Sequence, residues 1–442
     1  MSGGSGTRLW PLSTPGKPKP FLQLGDENSL IHQTLLRCRH AVFDRQPIIV
    51  TSAAHHQLLE TELVKCNTSA QIILEPEGRD SCAAAVAGAL LALQRNQNAV
   101  LLMLAADHHI PDTEAFAAAV EAALPQAEAG HIVSFGIKPS TPATGYGYIL
   151  PKHPLAIGEM AEVQRFTEKP DADSARKYMA SGYLWNSGNL LFSAAAFIAE
   201  ATRLVPEIVR PIFDALENAL QSKNLWLLDR MAYGKVPRIS VDYAILEKTS
   251  KAWVMAVDYE WNDIGTWDAV AQLRKKDSNG NTSNGKALIT AGRNNFVHAN
   301  DRLTVLSHVD DLTVVSTRDA VLITRKGASE SVKNLMPLLA SAILVPENNP
   351  GCPPATSGDG DSPVVERLAL GSRQSLQRLC PSGQRDHLIV VSGAATIDKA
   401  DNTSVIKSGL SIMLETEANY CIRNDLEDTL SLIVIRTETA IS

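Results

Sequence analysis

Through the first part of the chain, short unbroken apolar runs alternate with longer apolar stretches of helical length. Residues 47–51 and 70–74 read as short buried strands, 83–93 is an Ala/Leu run of helical length, and 99–104 is another buried strand. Residues 113–123 read as a helix with Thr113 as its N-cap. Strands alternating with helices at this spacing predict an α/β fold with a mostly parallel sheet covered on both faces. Ligands of such sheets sit beyond the carboxyl ends of the strands, which singles out Asp107, just after the strand ending at Leu104.

The pattern changes downstream. The polar stretch 277–285 reads as a loop closing the α/β unit, and 287–324 reads as several short strands joined by turns. Residues 332–344 resemble a helix interrupted at Pro337. The next segment, 346–363, carries five prolines and three glycines in eighteen positions, a linker composition. Residues 364–438 return to β-type patterning. The expected organisation is therefore an α/β domain over 1–283, a β-rich connecting domain over 284–345, a linker over 346–363 and a small β domain over 364–442.

Composition narrows the class. At 442 residues the chain is long enough for more than one core, since domains run to about 150 residues. With 45% hydrophobic and 20% charged residues it is an ordinary globular chain, which excludes disordered, collagenous and disulfide-scaffold classes. Lys plus Arg is 41 against 48 for Asp plus Glu, a net charge of −7, so general nucleic-acid binding is not expected. No apolar run approaches the ~20 residues that cross a bilayer, so no membrane partner is expected either. Six cysteines never fall into a C-x-x-C pair, and the N-terminal residues lack the apolar core of a secretory signal. A cytoplasmic location with free thiols is the expectation.

The chemistry concentrates first in Gly3-Gly4-Ser5-Gly6-Thr7-Arg8, followed by Lys17 and Lys19. Glycines let backbone amides approach a polyphosphate closely, and the cations supply counter-charge. The spacing is neither that of a P-loop nor that of a dinucleotide fingerprint. The continuation Leu9-Trp10-Pro11-Leu12-Ser13 with Pro18-Lys19-Pro20-Phe21 resembles the signature of the sugar-nucleotide pyrophosphorylases, in particular the mannose-1-phosphate guanylyltransferase family. The resemblance continues in order through Glu75-Pro76-Glu77-Gly78-Arg79-Asp80, Ala106-Asp107-His108, Thr144-Gly145-Tyr146-Gly147-Tyr148-Ile149 and Phe166-Thr167-Glu168-Lys169-Pro170. Trp185-Asn186-Ser187-Gly188, Ser240-Val241-Asp242-Tyr243-Ala244 and Trp261-Asn262-Asp263-Ile264-Gly265-Thr266-Trp267 complete it over roughly the first 345 residues.

The resemblance implies a Rossmann-like nucleotidyltransferase domain that joins GTP and mannose 1-phosphate in the synthesis of GDP-mannose for polysaccharide. It implies that Asp107 and Asp263 hold Mg²⁺, a hard cation that prefers carboxylate oxygens and keeps waters and phosphates as its other ligands. It implies that Arg8 and Lys19 neutralise the triphosphate and the departing diphosphate. Nucleotide recognition falls to Gly3, Gly4, Gly6, Thr7, Glu75, Gly78 and Arg79, and the hexose phosphate to Gly147, Glu168, Lys169 and Asn186. A homo-oligomer is implied. Because a sugar phosphate is largely dianionic at pH 7, with a second pKa near ~6, its oxygen needs no general base. The obstacle is repulsion between two anions, so positioning and charge neutralisation are expected to carry catalysis. His108 and His109 are expected to flank the site without a chemical role.

Three departures stand against the resemblance. It implies a short apolar strand ahead of the glycine loop, lying centrally in the sheet, whereas Met1 and Ser2 precede Gly3 here. The expectation is a gap in hydrogen bonding and burial, from a start upstream of Met1 or an impaired chain. Thr14 stands where relatives carry Arg, and Asp80-Ser81-Cys82-Ala83 replaces Asn-Thr-Ala-Pro. Residues 375–397 resemble the cupin domain of phosphomannose isomerase, but Leu379-Cys380-Pro381-Ser382-Gly383-Gln384 and Tyr420-Cys421 stand where metal-binding histidines are expected. Only His387 remains, so isomerase activity is expected to be absent. The alternative reading is a non-catalytic nucleotide-sugar-binding or regulatory paralogue.

Overall fold

The computed structural model describes Met1 and residues 6–24, 27–336, 338–339, 364–399, 402–414 and 419–438. Two compact units divide at Val345 and Pro346. In the first, the strands are β1 (Ile48–Ser52), β2 (Gln71–Glu75), β3 (Val100–Met103), β4 (Ile132–Ile137), β5 (Tyr148–Pro151), β6 (Met160–Thr167), β7 (Leu184–Ser193), β8 (Leu220–Ser222), β9 (Leu225–Leu227) and β10 (Ala252–Val257). They form two sheets, ordered β1-β2-β9-β8 and β3-β7-β4-β10-β6-β5. Parallel pairing joins β1 to β2, β2 to β9 and β4 to β10, while β7 inserts antiparallel between β3 and β4.

Helix Asp80–Arg95 covers the sheets because its Ala-rich run buries Cys82–Ala87 and Leu91 at no rotamer cost. Helix Thr113–Glu128 is capped one residue earlier than expected. The Asp112 carboxylate accepts from the Ala115 amide at 2.9 Å, so Asp112, not Thr113, supplies the N-cap. The helix runs past residue 123 because Phe116, Val120, Ala123 and Ala127 continue one buried stripe.

The sheets do not join across β1 and β3. Val100, Leu101 and Leu102 are only partly buried, although a continuous apolar strand predicts full burial. A cavity of about 590 Å³ lies against both strands. Met1 touches this gap: its α-ammonium donates to Leu104 O at 2.8 Å, and its carbonyl accepts from the Ala106 amide at 2.9 Å.

Beyond Asn281, β11 (Thr282–Thr290), β12 (Phe296–Ser307) and β13 (Leu312–Ser316) pair in parallel and β14 (Val321–Arg325) closes the edge antiparallel. This β-rich stretch shares a core with the N-terminal segment, where Leu9, Leu22 and Leu30 pack with Trp267, Phe296 and Val332. The Trp267 indole donates to Trp10 O at 2.9 Å, which ties the chain after the glycine loop to the end of the α/β region. A 3₁₀ turn spans Ser329–Leu335. Most of the expected helix beyond it, with Pro337 and the whole linker 346–363, lies outside the described residues.

The second unit holds β15 (Val364–Leu370), β16 (Ser375–Leu379), β17 (Gln384–Ser392), β18 (Ala394–Lys399), β19 (Asn402–Lys407), β20 (Ser411–Leu414), β21 (Asn419–Arg423) and β22 (Leu430–Glu438). They pair antiparallel in sheets β15-β22-β17-β20 and β16-β21-β18-β19, the eight-stranded cupin-like arrangement. Along β17, Asp386, Leu388 and Val390 point inward and His387 alternates away, hydrogen-bonded to Ser411 at 3.0 Å. The buried polar cluster is instead Asp386, accepting from the Tyr420 hydroxyl at 2.7 Å and from Arg436 Nε at 2.7 Å. Among the described residues no three His, Cys, Asp or Glu side chains group as a metal site.

Candidate active site

The expected site residues gather beyond the carboxyl ends of β2 and β3 and on the turns facing them. Gly6 sits at φ 56° and starts the 3₁₀ turn Thr7–Leu9. A Cβ there would lie 2.7 Å from Lys19 Cβ and 2.8 Å from Ser13 Oγ, so only glycine lets the chain pass this close to Lys19. Gly3 and Gly4 lie outside the described residues. Thr7 and Arg8 are half-buried, and among the described residues Arg8 pairs with no carboxylate.

Lys19 joins the two expected metal-binding loops. Only 7% exposed, its ammonium lies 3.0 Å from Asp107 Oδ2 and donates to the backbone carbonyl of Asp263. The loops are also zipped together directly, His109 N to Asn262 O at 2.8 Å and Asn262 N to His109 O at 3.0 Å. Burial alone would push the Asp107 carboxyl up, but the Lys19 charge, with smaller help from its neighbours, reverses this and holds it below the usual carboxylate range. On Asp263, Oδ1 accepts from the Tyr146 hydroxyl at 2.9 Å and from the Gly265 amide at 3.1 Å.

Asp107 Oδ1 and Asp263 Oδ2 receive no hydrogen bond among the described residues. Two hard oxygen donors are thus left open on the two loops that Lys19 joins, a donor set that fits a divalent cation sharing its shell with water and phosphate. Gly265 keeps the space at Oδ2 clear, since a Cβ there would come within 2.7 Å of it.

His108 takes the flanking place expected of it. Its Nδ1 accepts from the Trp261 indole at 3.3 Å, its carbonyl from Arg37 at 3.1 Å, and burial pushes its imidazole down to about 4, against the pull of Asp107. The ring is therefore neutral at pH 7 and adds no charge beside the aspartates.

The expected hexose-phosphate residues form a second group. The Asn186 backbone N–H donates to Gly147 O at 2.8 Å, and a Cβ on Gly147 would strike Glu168 Oε2 at 2.5 Å. Lys169 pairs with Glu168 at 2.8 Å, and its own amide donates to Tyr146 O at 3.2 Å. Tyr146 lies between the groups, its ring edge-on to Trp185 at 5.0 Å and to Trp261 at 5.1 Å while its hydroxyl holds Asp263.

A third group surrounds the end of β2. Glu75 is buried and accepts from the Tyr233 hydroxyl; burial raises its pKa. Arg79 donates to Glu77 Oε1 and to Gly234 O at 2.7 Å, while Gly78 has open space around its Cα.

Three residues of these groups had no role in the sequence reading: Tyr146, Asp242 and Tyr233. Asp242 opens a one-turn π-helix, Asp242–Leu246, and its Oδ1 accepts from the Asn186 side-chain amide at 2.9 Å. Burial, then the Glu168 charge, pushes its carboxyl up to about 6. Tyr146 and Asp242 fall inside motifs that carry the resemblance, but a motif does not say which of its members turn toward one another.

Comparison with known proteins gives the family. The model of the nucleotidyl transferase family matches residues 1–280. The chain is 34% identical over 456 residues to the mannose-1-phosphate guanylyltransferase of Escherichia coli K12, covering 99% of this chain and 94% of that one. It is 34% identical to the alginate biosynthesis protein AlgA of Pseudomonas aeruginosa, covering 99% of this chain and 92% of that one. Among solved structures, one described as mannose-1-phosphate geranyltransferase from Thermus thermophilus superimposes with a TM-score of 0.68 at 29% identity, over 77% of this chain and 98% of that one.

Proposed function

This chain belongs to the nucleotidyl transferase family and, within it, to the mannose-1-phosphate guanylyltransferases, and from that premise we infer that it transfers GMP from GTP to α-D-mannose 1-phosphate, releasing diphosphate. The observation that carries the reading is the convergence of Asp107 and Asp263 on the buried Lys19 ammonium. Asp107 Oδ1 and Asp263 Oδ2 would hold Mg²⁺, which supplies neutralising charge to the phosphates when bound.

The chain's own groups do the rest. Arg8, with no acid of its own among the described residues, is a cation free to meet the triphosphate. Lys19, held between two oxygens, faces the same phosphates, so the repulsion that opposes attack of the sugar phosphate on the α-phosphorus is offset before substrates meet. Gly6 and Thr7 present backbone to the nucleotide, with Glu75, Gly78 and Arg79 toward base and ribose. Gly147, Glu168, Lys169 and Asn186 orient the hexose phosphate for in-line attack, and in a transfer that needs no general base such positioning must supply much of the rate enhancement. In the cupin-like unit the inward acid Asp386 is committed to Arg436 and Tyr420.

Diphosphate release from GTP, Mg²⁺ and mannose 1-phosphate tests the reading, with ATP, UTP and glucose 1-phosphate as competitors for specificity. GDP-mannose binding without any turnover would leave only the non-catalytic role.

A further inference from the structure

Tyr233 is a fully buried phenol beside the nucleotide group, and the chemistry of transfer gives it no part. It closes the single helical turn Arg230–Tyr233. That turn is placed by β9, which pairs in parallel with β2 through Leu74 and Leu227 and continues in the Leu228 amide donating to Leu74 O at 3.1 Å. Asp229 then caps the turn, its carboxylate accepting from the Ala232 amide at 2.8 Å. The chain thus carries a phenol to the carboxyl end of β2, where the Tyr233 hydroxyl donates to Glu75 Oε1.

A second contact joins the same two stretches, since Arg79 donates to Gly234 O at 2.7 Å while it pairs with Glu77. Among the described residues the Tyr233 hydroxyl is the one hydrogen-bond donor to the Glu75 carboxylate, and it takes one of the two oxygens. Glu75 Oε2 is left to a ligand. On a side chain only 7% exposed, a donor supplied by the ligand competes with little water and gains accordingly.

We propose that Tyr233 is a positioning residue for nucleotide binding: its hydroxyl fixes one oxygen of Glu75 so that the other accepts an N–H or O–H of the nucleoside. The proposal rests on Glu75 facing the nucleotide, as the proposed function has it. Burial raises the Glu75 carboxyl, and only the Tyr233 hydroxyl and, more weakly, the Met1 α-ammonium bring it down. Arg79 and Glu77 face Tyr233 from the turn after β2, and Ser52 stands opposite Glu75 on β1. Without the hydroxyl the carboxyl moves further up, so its protonated fraction is larger at pH 6 than at pH 8.

Four full-length chains test this: the parent, Tyr233→Phe, Glu75→Gln and the double variant. Tyr233→Phe is expected to raise KM for GTP about tenfold at pH 7, more at pH 6 and less at pH 8, with KM for mannose 1-phosphate within about twofold of the parent. In the Glu75→Gln background the same substitution is expected to change KM for GTP by less than about twofold at each pH, because the hydroxyl acts through the charged oxygen. 2′-Deoxy-GTP and 3′-deoxy-GTP identify the donor. The effect vanishes with the analogue that lacks the ribose hydroxyl Glu75 meets, and persists with both where the donor is a base N–H. An equal rise in both backgrounds, a joint rise of both KM values or a parental KM for GTP overturns the proposal. Failure of Tyr233→Phe to fold overturns it too, by making the hydroxyl structural. Calorimetry of GTP binding to the same chains reads the same pattern without turnover. A parent that binds GTP but releases no diphosphate therefore loses the transfer and keeps this test, and a parent that does neither overturns both.

Discussion

Asp242 gives the sharpest physical test of the hexose-phosphate group. Burial first, and Glu168 second, push its carboxyl up to about 6, while Lys169 works the other way. Between the ordinary Asp value and about 6 the folded chain keeps a proton that the unfolded chain has released. Stability therefore falls as pH rises through that window, and the whole deficit is present above it. A pKa about two pH units above the ordinary value corresponds to about 3 kcal/mol at pH 8, and to about half of that at pH 5, where titration is incomplete. Asp242→Asn is neutral at every pH and still offers Oδ1 to the Asn186 amide. The expected result is a variant more stable than the parent, with an advantage that roughly doubles from pH 5 to about 3 kcal/mol at pH 8. Urea unfolding read by tryptophan fluorescence isolates the right unit, because all six tryptophans precede Val345. A stability difference independent of pH would refute the reasoning. A costly buried carboxylate is a mark of a working site, so the same variant is expected to raise KM for mannose 1-phosphate while leaving KM for GTP unchanged.

Further outcomes follow from the other contacts. Asp107→Asn and Asp263→Asn should each lower kcat by at least about a hundredfold with unchanged circular dichroism, and near-parental rates in both would remove the cation assignment. Tyr146→Phe deletes the hydroxyl that fixes Asp263 Oδ1, and a Mg²⁺ titration of activity should shift by about ten- to a hundredfold. Gly6→Ala places a Cβ against Lys19 at a left-handed φ; a loss of more than about 1–2 kcal/mol in urea unfolding is expected, with activity falling further than stability. In the second unit, Asp386→Ala strands Arg436 and should cost about 3–5 kcal/mol, seen as early loss of exchange protection in β17 and β22.

Much of this was legible because strand ends are where apolar runs stop. Residues 70–74 and 99–104 were recognisable as runs without any partner in view, and Asp107 follows from the second directly, whereas Glu75 came only with the resemblance. The link through Lys19 between Asp107 and the Asp263 loop was not legible in that way. It depends on Lys19 reaching two loops separated by more than a hundred and fifty residues and on the bridge between His109 and Asn262, and no local pattern encodes either. The resemblance supplied the pairing; the geometry supplies its cause. Asp242 was hidden for a different reason. A π-helical turn has the same composition as an α-helical one, and the extra residue that turns this carboxylate toward Asn186 leaves no mark in hydrophobic periodicity. Thr113 failed as a cap because Asp112 and Thr113 are both good caps, and which is used depends on where the chain leaves β3. His387 shows the limit most plainly. Its type matched an expected ligand, but strand alternation turns it away from the interior and puts Asp386 there instead, so that a single residue of register decides whether a matching side chain can act at all.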